Sequence, residues 1–193
     1  FSVCSEDTCA IYQGKLKANV ISSISEISFF SSSESVSMPH YSERNGKEFL
    51  FFVSKAAGGQ GSRDIWYSER IGGSWSEGIN LGNNINTPGE EVSPFFDGDK
   101  LFFSSNWHNG FGGFDIVFSE GWFGQWTEVT NPGKPMNSSY HDLYYTYNTV
   151  AKRGWFSSNR ISDENLVNST CCSKIYSFEY PDSLEVGRKS YKD

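Results

Sequence analysis

Long apolar runs are missing from this sequence. No stretch approaches the roughly 18–20 residues that a membrane-spanning helix needs. Basic clusters are missing too. Lys and Arg total 16 against 23 Asp and Glu, for a formal net charge of -7. Without concentrated positive charge there is nothing to neutralise phosphates, which argues against nucleic acid and against an anionic membrane surface. Only 3 histidines occur. His40, His108 and His141 sit at unrelated positions, so a metal trio would need a coincidence of folding. No Gly-x-Ser-x-Gly elbow and no Cys/His nucleophile arrangement stand out. The glycine loops lack the Lys-Ser/Thr and the following helix of a phosphate loop. No cofactor is implied. Nothing long reads as an amphipathic helix. The chain opens on Phe1 with no signal-peptide pattern before it, which reads as a processed or trimmed end.

Cysteine is scarce, at 4 residues: Cys4, Cys9, Cys171 and Cys172. No pair of CxxC motifs suggests zinc. An even number near the two ends fits disulfides in an oxidising compartment, with three connectivities open. Adjacent Cys171 and Cys172 would close a strained ring, so the expectation is pairing toward the N-terminal cysteines, with free thiols as the alternative.

What the chain does have is aromatic residues, 17%, and 19 glycines. That composition favours short strands and tight turns over helices. It is also organised. Asp64-Ile65-Trp66-Tyr67-Ser68-Glu69 is followed by Gly73-Ser74-Trp75, Asn80-Leu81-Gly82, Ile85-Asn86-Thr87 and Glu91. Asp115-Ile116-Val117-Phe118-Ser119-Glu120 is followed by Gly124-Gln125-Trp126, Asn131-Pro132-Gly133, Met136-Asn137-Ser138 and Asp142. Each landmark moves by one step: 115 − 64 = 51, 126 − 75 = 51 and 142 − 91 = 51. Upstream of each row lies an apolar run, Glu48 to Ser54 and Lys100 to Asn106, echoed by Arg153 to Asn159. Glycine loops follow the first two runs, Gly58-Gly59-Gln60-Gly61 and Gly110-Phe111-Gly112-Gly113.

One unit therefore holds four short strands. The near-continuous apolar run is the one buried on both faces, and Asn45-Gly46 and Asp97-Gly98 mark hairpins. A repeat of about 50 residues with four strands is the size of a propeller blade. The expected fold is all-β: a β-propeller of four-stranded antiparallel blades, about 3.5 to 4 in this chain and part of a larger propeller. The units are 1–35 (partial), 36–90, 91–141 and 142–180, with a tail at 181–193. Four third-strand signals, at Ile11, Ile65, Ile116 and Ile175, stand against three first-and-second-strand pairs. The opening blade is thus expected to lack its inner half. A rival is a four-bladed closure in which the first segment completes the last blade.

The run Glu/Asp-x-x-Pro-x-Phe, Leu-Phe-Phe-Ser-Ser-Asn, Gly-x-Gly-Gly-x-Asp-Ile, Gly-x-Trp and Asn-Leu-Gly-x-x-Ile-Asn-Thr resembles the TolB-related, WD-type propeller repeats found beside OmpA-like peptidoglycan-binding domains in Bacteroidetes envelope proteins. Residues 86–120 carry the match best, and 36–85 and 121–180 carry it more loosely. Tyr147 stands about where Pro94 would fall, and Lys174 where Asp115 would. The resemblance implies a non-catalytic periplasmic scaffold or protein-binding domain, associated with the outer membrane. Its partners would be other envelope proteins, in a peptidoglycan-linked or outer-membrane complex such as the type IX secretion and gliding machinery. The alternative is a carbohydrate-binding or glycoside-hydrolysing propeller. Asp182-Ser183-Leu184 matches a short O-glycosylation pattern of such periplasmic proteins.

Recurrence sorts the candidate residues. Asp64 and Asp115, with Glu91 and Asp142, could be taken for catalytic carboxylates, but they recur once per blade. Blade building is the expected role, with each Asp before Ile accepting backbone N–H groups of the glycine loop. Phe96 to Asp99 lacks the oxygens of a calcium loop and reads as a turn. Trp75 and Trp126 are repeat-equivalent and read as packing. Trp107, Phe111, Trp122 and Phe123 break the repeat or lie in loops, and are the candidates for partner contact.

Overall fold

The computed structural model describes residues 1–6, 8–122, 124–161 and 173–179. Cys171, Cys172, Phe123, the tail at 181–193 and the Asp182-Ser183-Leu184 pattern lie outside them. The fold is all-β, with four antiparallel, blade-like sheets. The first contains β1 (Ser2–Cys4), β2 (Cys9–Lys17) and β3 (Val20–Ile27). The second contains β4 (Val36–Arg44), β5 (Lys47–Ser54), β6 (Asp64–Ile71) and β7 (Ser74–Trp75), with β8 (Ile79–Asn80) also pairing to β6. The third contains β9 (Glu91–Phe96), β10 (Lys100–Ser105), β11 (Asp115–Trp122) and β12 (Gln125–Trp126). The fourth contains β13 (Asp142–Asn148), β14 (Arg153–Ser158) and β15 (Lys174–Glu179). β1–β3 form a sheet of their own, so the closure in which the opening segment completes the last sheet does not occur.

Strand alternation explains how the sheets stack. On β5 every residue from Phe49 to Ser54 is buried. Phe49 and Phe51 point into a core shared with the third sheet, whereas Leu50 and Phe52 point into a core shared with the first. β10 repeats the device: Leu101 and Phe103 face the second sheet, and Phe102 faces the fourth. Among the described residues β14 is covered more on one face than the other, with Phe156 buried and Trp155 half-buried. Neighbouring sheets touch through their innermost strands, β4 on β9 and β9 on β13.

Those innermost strands share a bulge, each with one residue in the left-handed region: Met38 (φ 52°), Ser93 (φ 51°) and Tyr144 (φ 57°). The register corrects one alignment. Val92 and Leu143 pair with the equivalent Ser104 and Ser157. Tyr145, two positions earlier than the motif alignment suggests, therefore takes the place of Pro94. Lys174 does take the place of Asp115, since each ends its sheet's pairing opposite Ser158 and Ser105. Asn45-Gly46 forms a two-residue hairpin with both residues at positive φ. At Asp97-Gly98 the Asp97 side chain accepts the Asp99 and Lys100 N–H groups, lengthening the turn.

The cysteine expectation is corrected. Cys4 is bonded to Cys9 and not to the C-terminal pair. The physical reason is register: β1 lies antiparallel on β2 across a short loop, which places Cys4 directly opposite Cys9. A disulfide points to an extracytoplasmic location.

Candidate functional site

Antiparallel meanders put alternate connections at opposite ends. Loops 55–63 and 106–114, with the inter-sheet connections 81–90 and 127–141, gather at one end, called here the loop end. Its framework is built by the recurrent residues. Asp64 accepts the Gln60 and Gly61 N–H groups and the Asn80 amide. Asp115 accepts the Phe111 and Gly112 N–H groups, each at 2.9 Å. Asn86 clamps Ile65 through both its N–H and its carbonyl, at 2.8 and 2.9 Å. Asn137 does the same to Ile116 at 2.8 and 2.7 Å. The sequence marked these asparagines as landmarks but assigned them no work.

The acids at the start of the inner strands are equally committed. Glu91, fully buried, accepts from the Thr87 N–H (2.8 Å), Thr87 Oγ1 (2.6 Å) and Ser105 Oγ (2.7 Å). Burial raises its pKa above the ordinary carboxylate value despite those donors. Asp142 accepts from Ser138 N–H and Oγ, and pairs with Arg160 at 2.6 Å.

Glu90 has no acidic counterpart in the repeat, where His141 takes its place (90 + 51 = 141). It pairs with both Nε and Nη2 of Arg63, at 3.0 and 2.9 Å. The Arg63 hydrogen bonds hold its carboxyl below the ordinary value. At the next seam the same place is filled by Phe114 against His141. His108 Nε2 meets the Ile85 carbonyl at 2.9 Å. His40, on β4, meets the Phe96 carbonyl at 3.0 Å and packs on Phe95. Burial pushes its pKa below the ordinary value. The three histidines stand apart, and among the described residues no group of three metal-ligating side chains forms.

The four candidate contact residues separate. Trp107 and Phe111 share the loop 106–114 at the loop end and are 62% and 52% exposed. The Ser105 hydroxyl fixes the loop's entry by accepting the Trp107 and His108 N–H groups, and Asp115 fixes its exit. Trp122 lies at the opposite end, edge-on to Phe49 at 5.0 Å under the Arg44 guanidinium. Phe123 lies outside the described residues. Trp126 is buried between the second and third sheets, and Trp75 packs on the core between the first and second.

Beside His108 the loop end opens into a cleft of about 470 Å³ between the second and third sheets. Asn83, Asn84, His108, Asn109, Glu128 and Asn131 form its walls, and Val117 and Val129 its floor. The cleft was not expected from the sequence. Its polar residues come from three loops, and Asn131 is the one the sequence had marked, as a landmark of the repeat.

No family model matches the chain, and no curated protein matches it. Among solved structures, the α-L-arabinofuranosidase from Lactobacillus brevis is similar at a TM-score of 0.45 and 10% sequence identity. The match covers 83% of this chain and 58% of that one, so the chain spans somewhat over half the length of that enzyme.

Proposed function

We propose that this protein is a non-catalytic binding domain whose loop end receives the partner. The observation that carries this reading is a pair of large exposed aromatics, Trp107 and Phe111, on a loop held at both ends by buried hydrogen-bonding residues. Exposed aromatics on a preorganised loop suit recognition, because little conformational freedom is lost on binding. The recurrent carboxylates support it as well, since each is spent on internal hydrogen bonds. Glycoside hydrolysis would need an acid and a second carboxylate at a set separation. The one unrepeated acid singled out at the seam, Glu90, is instead held ionised by Arg63.

The finer assignment is a periplasmic scaffold in an envelope complex, of the kind that serves type IX secretion and gliding. It draws on the motif resemblance and on the disulfide. The test is cross-linking and affinity capture from envelope fractions of the source cells. Native protein is expected to capture a reproducible partner, and a Trp107→Ala/Phe111→Ala double variant of equal stability is expected to lose it. Hydrolysis of oligosaccharides by the purified chain, abolished by substitution of a single carboxylate, would overturn the reading.

A further inference from the structure

We infer that the cleft between the second and third sheets binds a neutral, polyhydroxylated ligand, a short stretch of uncharged oligosaccharide. The inference rests on reading the chain as a binding domain whose ligands meet the loop end.

The comparison of two equivalent seams carries it. At the seam between the third and fourth sheets, Arg160 spans the corresponding place. Its guanidinium donates to the Pro135 carbonyl (2.7 Å), the Met136 carbonyl (2.5 Å) and Asp142 (2.6 Å). The carbonyl equivalent to that of Met136 is Ile85 (136 − 51 = 85). There the donor is the shorter His108, at 2.9 Å, and open space remains beyond it. Its volume of about 470 Å³ lies within the roughly 300–1,000 Å³ of small-ligand sites. Asn83 and Asn84 correspond to Lys134 and Pro135 one step later (83 + 51 = 134, 84 + 51 = 135). The amides of Asn83 and Asn84 are therefore not repeat residues, and blade building does not account for them, whereas Asn131 is the counterpart of Asn80.

Their chemistry selects the ligand. A carboxamide offers donors and an acceptor side by side, which is what a sugar hydroxyl uses. Asn83, Asn109 and Glu128 make no internal side-chain hydrogen bond among the described residues. Asn84 is oriented by its bond to the Trp126 carbonyl at 3.2 Å, which leaves its own oxygen for a ligand. Asn131 braces the wall by donating to the Asn109 carbonyl at 2.9 Å. The valine floor provides apolar surface for the C–H face of a ring. One carboxylate and one imidazole among four amides give no basis for holding a strongly charged group, and the chain's net charge of -7 repels anions.

The probe is an array of neutral oligosaccharides, printed beside acidic glycans and unstructured peptides, followed by calorimetric titration of the best binder. Native protein is expected to bind a neutral oligosaccharide. Asn83→Ala/Asn109→Ala is expected to lose about tenfold or more in affinity, the size of one or two lost hydrogen bonds, with its melting temperature unchanged. Lys134→Ala, at the filled seam, is expected to bind as the native protein does. An array on which native protein binds no neutral oligosaccharide, or only acidic glycans or peptides, overturns the inference. So does a double variant that binds at native strength. Partner capture through Trp107 and Phe111 is read independently, so the broader binding role can survive the failure of this one.

Discussion

Asp64 and Asp115 occupy the same place in successive sheets but carry different loads. Asp64 accepts three hydrogen bonds, one from the Asn80 amide. Asp115 accepts two, because the equivalent Asn131 donates elsewhere. Both side chains are buried, and leaving the part-buried N–H groups they accept without a partner costs up to about 1–3 kcal/mol. In urea unfolding, Asp64→Ala is expected to lose more stability than Asp115→Ala, and equal losses would refute that ranking. This role was legible because recurrence separates builders from specialists. His40 was not legible: its partner, the Phe96 carbonyl, is 56 residues away. Its folded pKa is lowered by burial. Below about pH 6.5 the unfolded chain therefore binds more protons at this site than the folded one, and stability falls as pH falls through that window. Glu91 works the other way, its raised pKa making stability fall as pH rises, and Asp97 opposes the lowering at His40. Comparing native protein with His40→Gln between pH 7.5 and 5 cancels the common Glu91 contribution. The variant is expected to lose less melting temperature over that range, and parallel curves would refute the assignment.

Strands were more legible than the seams between them. The doubly buried β5 and β10 announce themselves as continuous apolar runs, and Asn45-Gly46 marks its hairpin. Which carbonyl a loop would lie against could not be read, because that depends on how two sheets meet. Gly61 and Gly112 are the clearest case. They are repeat-equivalent (112 − 61 = 51). A Cβ on Gly61 would run into the Thr87 and Gly89 carbonyl oxygens, and one on Gly112 into those of Tyr140 and Ser138. Backbone cannot step aside cheaply, so Gly112→Ala is expected to cost about 1–3 kcal/mol and to raise amide exchange at the start of β13. Gly124 has open space around it. There alanine should cost only the positive-φ penalty of roughly 1–2 kcal/mol, with β13 exchange unchanged. The disulfide belongs to the same class. Only the register of β1 on β2 pairs Cys4 with Cys9, and cysteine spacing alone left that open.

At the scale of the whole molecule the sheets follow chain order, and each packs on its sequence neighbours. Stability in such an array is nearly a sum of local units and nearest-neighbour seams. Removing the disulfide with Cys4→Ser/Cys9→Ser should therefore act locally. Hydrogen exchange is expected to quicken in β1–β3 and to hold steady in β9–β12, and equal loss in both would show tighter coupling. The repeat made the all-β, blade-like character of the sheets readable, whereas the fate of the opening segment depended on contacts that no repeat encodes. The same linear order bears on synthesis. A unit of about 50 residues leaves the ribosome in roughly 3–10 s at about 5–20 residues per second. Hairpins close in roughly 1–10 μs. Each sheet thus has time to form before the next is made, and every new sheet emerges beside a finished surface that can template it.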